Sequence, residues 1–233
     1  MMDTMAGKKK GKKVLVIDVG GTNIKMLATG VEERIKIPSG KDMSAREMVD
    51  KVITAIEEAG WEYEVISLGV PCVVRDERVR REPVNLGTGW VDFDFANAFD
   101  CPVKLINDAA IQAYGCYKGG TMLFLGFGTG LGTALIVEGT IIPLEAGHLP
   151  YKKTKKSLED YTGKAGRERL GDKKWLKHSL RIIKSLRHSF CATDLVIGGG
   201  NAADLDPFPE YARQVDNSAA FTGGFRLWEK KAK

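Results

Sequence analysis

The chain has 233 residues, 43% of them hydrophobic, with a formal net charge of +5 and a pI near 8.9. That is enough to bury a sizeable core in one large domain or two small ones. No apolar run reaches the ~18 residues of a membrane helix, and the basic N-terminus lacks the apolar stretch of a secretory signal. Cys72, Cys101, Cys116 and Cys191 are widely spaced with no C-x-x-C, which argues against a cysteine metal cluster and for a reducing, cytoplasmic setting. Much of the positive excess lies in "GKKKGKK" (Gly7–Lys13); such runs are commonly solvated tails, with a polyanion contact as the alternative.

In chain order, "KVLVIDVGGT" reads as a β-branched strand ending in a Gly-Gly turn, and "NIKMLATG" and "RIKIPSG" continue as strands. A meander in place of a following helix argues against a Rossmann domain. Ser44–Ala59 has helical spacing through Met48, Val52, Ile53 and Ile56, with Gly60 as its stop. "YEVISLGVP" is a strand broken by Pro71, "FDFANAF" a short helix, "CPVKLIN" a strand, and Asp108–Tyr117 a helix ending at Gly119-Gly120. "TMLFLGFGTGLGTALIVEG" then repeats the strand, glycine turn, strand plan of the opening. "TIIPLEAGHLP" leads into "YKKTKK", with helices expected at Ser157–Leu170 and Lys174–Phe190. "TDLVIGGGNAADL" is a strand running through a glycine triplet into a helix start, and "NSAAFTGGFRLWEKK" is a last helix. Two units with one plan predict pseudo-duplicated α/β lobes around a cleft.

The turns Gly20-Gly21-Thr22 and Gly126–Gly132 share one physical logic. Glycine lets backbone N–H groups approach an anion closely and form a nest for phosphate oxygens. Neither turn matches G-x-x-x-x-G-K-[ST] or G-x-G-x-x-G, so neither is a P-loop or a dinucleotide fingerprint. One such turn alone reads as an ordinary hairpin; two, each with a threonine, and "GGGN" after a third strand favour phosphate. Asp18 closes the first strand, where a buried carboxylate needs donors or a cation, for which hydrated Mg²⁺ is the economical choice. "NDAA" places Asp108 where a strand becomes a helix. There it is either an N-cap or a reactive carboxylate at the strand's C-terminal edge, where α/β sheets bind ligands.

The stretches "DVGGTNIK", "LGVP", "NLGTGW", "INDAA", "LGFGTGLGTAL", "LEAGHLP", "SLEDY" and "VIGGGN", in that order over about four-fifths of the chain, resemble the ROK family (repressors, open reading frames, kinases) of the sugar kinase, Hsp70 and actin superfold. Within it the chain looks most like the short polyphosphate glucokinase branch. The resemblance implies an α/β fold of two actin-like, ribonuclease H-like lobes with a central cleft, residues 1–119 and 120–233, the last helix free to pack back on the first lobe. It implies phosphoryl transfer from polyphosphate or ATP to a hexose, at the 6-hydroxyl of glucose.

Carried over by position, the resemblance makes Asp108 the catalytic base, and Asn85, Asn107, Asp108, Glu145, His148 and Glu159 the sugar ligands. It puts phosphate at Gly20, Gly21, Thr22, Lys25, Gly128, Thr129 and Gly130, nucleotide at Gly198, Gly199, Gly200 and Asn201, and Mg²⁺ at Asp18 through water. Asn, Glu and His provide the donors and acceptors that hydroxyls need. Three departures stand out. "YKKTKKS" replaces the family's zinc-binding cysteines, so no zinc is expected; Cys72 follows Pro71 where glycine is usual; and the stretch from Gly200 to Asp216 is short for an adenosine pocket. A cytoplasmic homodimer acting on hexose, without nucleic acid or membrane partners, is the expectation. The alternatives are an ATP-dependent kinase of another hexose or N-acetylated sugar, and a non-catalytic sugar-binding regulator. Against the latter, Asp108 and both phosphate turns are retained, and a strand starting at Val14 leaves no room for the helix-turn-helix of family repressors.

Overall fold

The computed structural model describes residues 11–229 except 154 and 217; most of the basic run beginning at Gly7 therefore lies outside the described residues. The first unit contains β1 (Val14–Val19), β2 (Asn23–Ala28), β3 (Ile35–Pro38), α1 (Ala45–Ala59), β4 (Val65–Val70), β5 (Val74–Arg75), β6 (Arg78–Val79), α2 (Phe95–Phe99), β7 (Val103–Asn107) and α3 (Asp108–Cys116). The second contains β8 (Thr121–Phe127), β9 (Leu131–Val137), β10 (Thr140–Leu144), α4 (Glu159–Thr162), α5 (Lys164–Leu170), α6 (Asp172–Ser189), β11 (Asp194–Gly198) and β12 (Arg213–Gln214), and the chain continues into α7 (Ala219–Arg226).

Each unit builds a five-stranded sheet on the same plan, β3-β2-β1-β4-β7 and β10-β9-β8-β11-β12. The first three strands of each unit form an antiparallel meander, and the next two add parallel to the first. The repeat seen in the sequence is thus a repeat of topology. β1 and β4 are buried at every position, as strands covered on both faces must be. One face of the first sheet packs Leu15, Ile17 and Leu68 against Met48, Val52 and Ile56 of α1. Helix α1 is fixed at both ends, by a Ser44–Glu47 capping box and by Gly60 at φ 64°. The opposite face sets Val14, Val16 and Val65 against Ile111 of α3 and Ala220 and Phe221 of α7. Helix α3 also gives Ala109, Ala110 and Ala113 to Met122, Phe124, Ala134 and Val196 of the second sheet. It therefore lies between the sheets, which explains its run of small residues. Helix α6 closes the far side with Trp175, Ile182, Ile183 and Leu186.

Helices α3 and α7 touch backbone to backbone. A Cβ at Gly115 would lie 1.8 Å from Ala219 O, and one at Gly223 1.9 Å from Ile111 O. Ser67 Oγ donates to Gly224 O at 2.7 Å, and Arg226 donates to Tyr114 O and Gly115 O, each at 3.0 Å. The C-terminal helix is thereby fastened to the first sheet.

Three local expectations are corrected. The helix expected over Ser157–Leu170 divides into α4 and α5, because Gly163 is extended at ψ 172° and presses on the second glycine turn, where its Cβ would meet Thr129 O at 2.5 Å. The helix start expected after "GGGN" is a single 3-10 turn, Ala202–Asp204, and Pro207 and Pro209 prevent its extension. The β5–β6 hairpin was not expected from the sequence. Its turn residues Asp76 and Glu77 both take positive φ, 53° and 54°, without the Asn-Gly signal that usually marks such a turn.

Candidate active site

The two glycine turns and the β7–α3 junction meet at a cavity of about 280 Å³ between the sheets. Asp18, the penultimate residue of β1, faces Lys25 across the hairpin, with Lys25 Nζ 3.2 Å from its carboxylate. Asp18 is 4% exposed; burial raises its pKa and the Lys25 charge only partly offsets this. The donor that this buried carboxylate requires is therefore Lys25, at least in part.

At the β7–α3 junction the two side chains divide their work in an order the sequence did not reveal. Asn107, not Asp108, caps the helix: its Oδ1 accepts from Ala109 N at 3.0 Å and Ala110 N at 3.1 Å. Its Nδ2 donates to Cys72 O at 3.2 Å, so one amide hydrogen is left for a ligand. Asp108 is freed from capping and points its partly exposed carboxyl into the cavity. Burial, then the charges of Asp18 and Glu145, push its pKa up to about 7, against the pull of the Ala109 N–H at 2.8 Å. Cys72 is buried, and burial together with Asp108 raises its thiol pKa and keeps it protonated.

On the other wall, Glu145 precedes a 3-10 turn, Ala146–His148, which His148 ends, and Glu159 starts α4. His148 lies 3.8 Å from Glu145 and 3.9 Å from Glu159. Those gaps are too long for direct hydrogen bonds and leave three polar ends available to a polyol. The pKa of Glu145 is raised, chiefly by burial, with His148 opposing and Glu159 adding to it. Asn85 completes this rim, its Cβ close against Gly21.

The glycine turns present unused donors. Gly20 N bonds Asn23 O and Gly128 N bonds Gly130 O, but the amides of Gly21, Thr22, Thr129 and Gly130 donate to no group among the described residues. Such clustered N–H groups suit an anion. The second turn is held from behind: Lys164 N donates to Gly128 O and Thr129 O, each at 3.1 Å, Asn201 Nδ2 donates to Gly128 O at 3.1 Å, and Glu159 accepts from Leu131 N at 3.0 Å.

Of the residues singled out in the sequence, Gly20, Gly21, Lys25, Asn85, Asn107, Asp108, Gly128, Thr129, Gly130, Glu145, His148, Glu159, Gly199 and Gly200 line this cavity. Four do not. Asp18 lies beneath the floor, Thr22 sits outside the lining with its carbonyl bound to Ser39 N, Gly198 is inside β11 against the Phe124 ring, and Asn201 braces the second turn. Sequence reading missed Gln112, which lines the cavity one helical turn after Asp108; its i+4 spacing was the available signal.

A polyphosphate glucokinase of Mycobacterium tuberculosis is 28% identical to this chain over 244 aligned positions, covering 89% of the chain and 88% of that protein. Among solved structures, the inorganic polyphosphate/ATP-glucomannokinase of Arthrobacter sp. strain KM superposes with a TM-score of 0.80 at 22% identity, over 93% of this chain and 98% of that one. A ROK family glucokinase from Streptomyces griseus, in complex with glucose and AMPPNP, gives 0.73 at 17% identity, over 93% and 99%. These two likenesses show a shared fold, the two-sheet actin-like architecture expected from the sequence. The family described as ROK matches residues 14–156, more than half of the 233, and its span contains both glycine turns, the Asp108 junction and the Glu145–His148 wall: the chain belongs to the ROK family.

Proposed function

We propose that this protein is a hexose kinase of the glucokinase type, which transfers the terminal phosphoryl group of polyphosphate or ATP to a sugar hydroxyl, with the 6-hydroxyl of glucose as the acceptor. The observation that carries this reading is Asp108, a carboxylate with its pKa pushed up to about 7 at the floor of a cavity walled by unused amides and hydroxyl-binding side chains. A base of that pKa is matched to neutral pH. The names of the mycobacterial relative and of the Arthrobacter structure support the same class of donor and acceptor.

In this reading Asn85, Glu145, His148 and Glu159 orient the hexose, and Asn107 adds its remaining amide hydrogen. The acceptor hydroxyl passes its proton to Asp108 as its oxygen bonds to the terminal phosphorus. The bond from that phosphorus to the bridging oxygen breaks, and ADP or a polyphosphate one unit shorter departs. Positioning and electrostatics supply the catalysis, through the turn amides and Lys25. Asp18, paired with Lys25 beneath the cavity floor, would hold a magnesium ion only through that ion's own water. It is one buried hard-oxygen donor, and among the described residues no three His, Cys, Asp or Glu side chains converge. When bound, magnesium neutralises charge on the donor phosphates. The residues of 1–119 and 120–233 act as the two lobes that enclose the hexose.

The donor side favours polyphosphate at least as much as ATP. Lys152, Lys153, Lys155 and Lys156 follow the sugar-binding turn directly and are exposed. Lys152 Nζ lies over the Tyr151 and Tyr161 rings, 5.4 and 5.5 Å from their centroids, and Arg169 lies over Tyr161 from the other element. The pKa of His178 is lowered by burial and by Lys152, Arg181, Lys177 and Arg169. The positive field thus continues from the loop onto α5 and α6, a surface suited to a linear polyanion. The decisive experiment is a matrix of ATP and polyphosphate against glucose, mannose, fructose and N-acetylated sugars. Replacing the four loop lysines with Gln at matched Mg²⁺ and low salt should raise the polyphosphate KM selectively. Equal small effects on both donors, or a parent inactive with polyphosphate, would leave an ATP-dependent kinase. Light scattering tests the homodimer that belongs to the same reading.

A further inference from the structure

Glu159 touches both halves of the cavity. Its Oε2 accepts from Leu131 N at 3.0 Å, at the end of the second glycine turn, while Oε1 faces His148 Nε2 at 3.9 Å. The fit at the turn is close: a Cβ on Gly130 would lie 2.0 Å from Glu159 Oε2. The contacts on this turn from Lys164 N, Asn201 Nδ2 and the Gly163 backbone come from uncharged groups away from the hexose wall, and Gly147 of the wall packs on Leu131 O through backbone alone. Among the described residues Glu159 is the charged side chain that reaches both the turn, at Leu131 N, and the wall, at His148.

We infer that Glu159 is a positioning residue for the donor phosphate as well as a hexose ligand, so that hexose binding and the placement of the second glycine turn are coupled through one carboxylate. This rests on the hexose-kinase reading. A hexose hydroxyl that orders one oxygen of the carboxylate orders the other on Leu131 N. The Thr129 and Gly130 amides are then set where phosphate charge develops, and preorganised donors stabilise charge best. The two ligands must then bind with positive, reciprocal coupling. The glycine at position 130 is required because the carboxylate occupies the space of its missing side chain.

The test compares the parent with Glu159→Ala, Glu159→Gln, Gly130→Ala and the double variant Gly130→Ala/Glu159→Ala. Loss of a hydrogen bond to a charged group corresponds to roughly a tenfold effect. Glu159→Ala is expected to raise the donor KM about tenfold and lower kcat, in addition to raising the hexose KM. Glu159→Gln keeps an oxygen acceptor for Leu131 N and is expected to restore donor KM while hexose KM stays high. Gly130→Ala should be severely impaired, and adding Glu159→Ala should recover part of the loss by removing the clash. In calorimetry, glucose should tighten AMPPNP–Mg²⁺ binding to the parent and not to Glu159→Ala. A Glu159→Ala variant that changes hexose KM alone, or a double variant no better than Gly130→Ala, overturns the inference. If the parent phosphorylates no hexose, the hexose-kinase reading fails instead. The brace is then judged by hydrogen exchange at the Leu131 amide, which must quicken in Glu159→Ala for it to stand.

Discussion

The two sheets share one strand order yet contribute different chemistry. Across the first hairpin Asp18 faces Lys25; across the second, Gly126 faces Gly132. The first unit places charge at the site: a buried ion pair, and an aspartate at the start of α3. The second offers amides on a turn held by Lys164, Asn201 and Glu159, together with the polar wall of Glu145 and His148. In the proposed reading the duplicated scaffold puts the base on one unit and the ionisable hexose ligands on the other, with a glycine turn for phosphate on each.

The largest expected effect falls on the first unit. Asp108→Asn removes the base but keeps the shape, and kcat should fall by roughly 10²–10⁴-fold with hexose affinity little changed. A variant within tenfold of the parent would remove Asp108 from the role of base. Because the unprotonated carboxylate is the active form and its pKa is about 7, parental kcat/KM should decline about tenfold per unit as pH falls below that value. Stability has the opposite sign. A carboxyl whose folded pKa lies above its unfolded one favours the fold at low pH, and that contribution is lost as pH rises through 7. Asp108→Asn should therefore be more stable than the parent at pH 8, by about 2–4 kcal/mol, and equal to it near pH 3. Paired thermal melts at the two pH values would decide it.

Next in size, Glu145→Gln and His148→Ala weaken the hexose wall without touching the phosphate turns, and each should raise hexose KM roughly tenfold. A change in donor KM alone would move both residues to the other side of the cleft. Comparable to these is Lys25→Gln, which leaves the buried Asp18 without its cation. A loss of about 1–3 kcal/mol is expected, or a fall in Tm of roughly 2–4 °C per kcal/mol, together with a raised donor KM. Unchanged stability would mean that Asp18 is satisfied by something other than Lys25.

The elements legible in the sequence were those whose determinants are local. Ser44, Glu47 and Gly60 announce α1 at both ends, and the β-branched runs before each glycine turn announce β1 and β8. What could not be read depends on contacts distant in sequence. Gly163 breaks a helix because Thr129 lies against it, and Asp108 is released from capping because Asn107 is held by Cys72. At the site the glycine turns, Asp18 and Asp108 stood out by residue type, whereas Asn85, Asn107, Glu145, His148 and Glu159 were picked out through the family resemblance. Their division of work was not legible. The Asp18–Lys25 pair and the Glu159 brace are set by strand register and helix packing, which residue type does not encode.

Helix α7 carries a further consequence, for how distant parts of the chain depend on one another. The face of the first sheet formed by Val14, Val16 and Val65 is covered by Ala220 and Phe221 of α7 together with Ile111 of α3, so this core is complete only when a segment far along the chain has docked. Contacts so distant in sequence slow folding, and the close seating of Gly223 on α3 makes that docking the step on which full burial of the face depends.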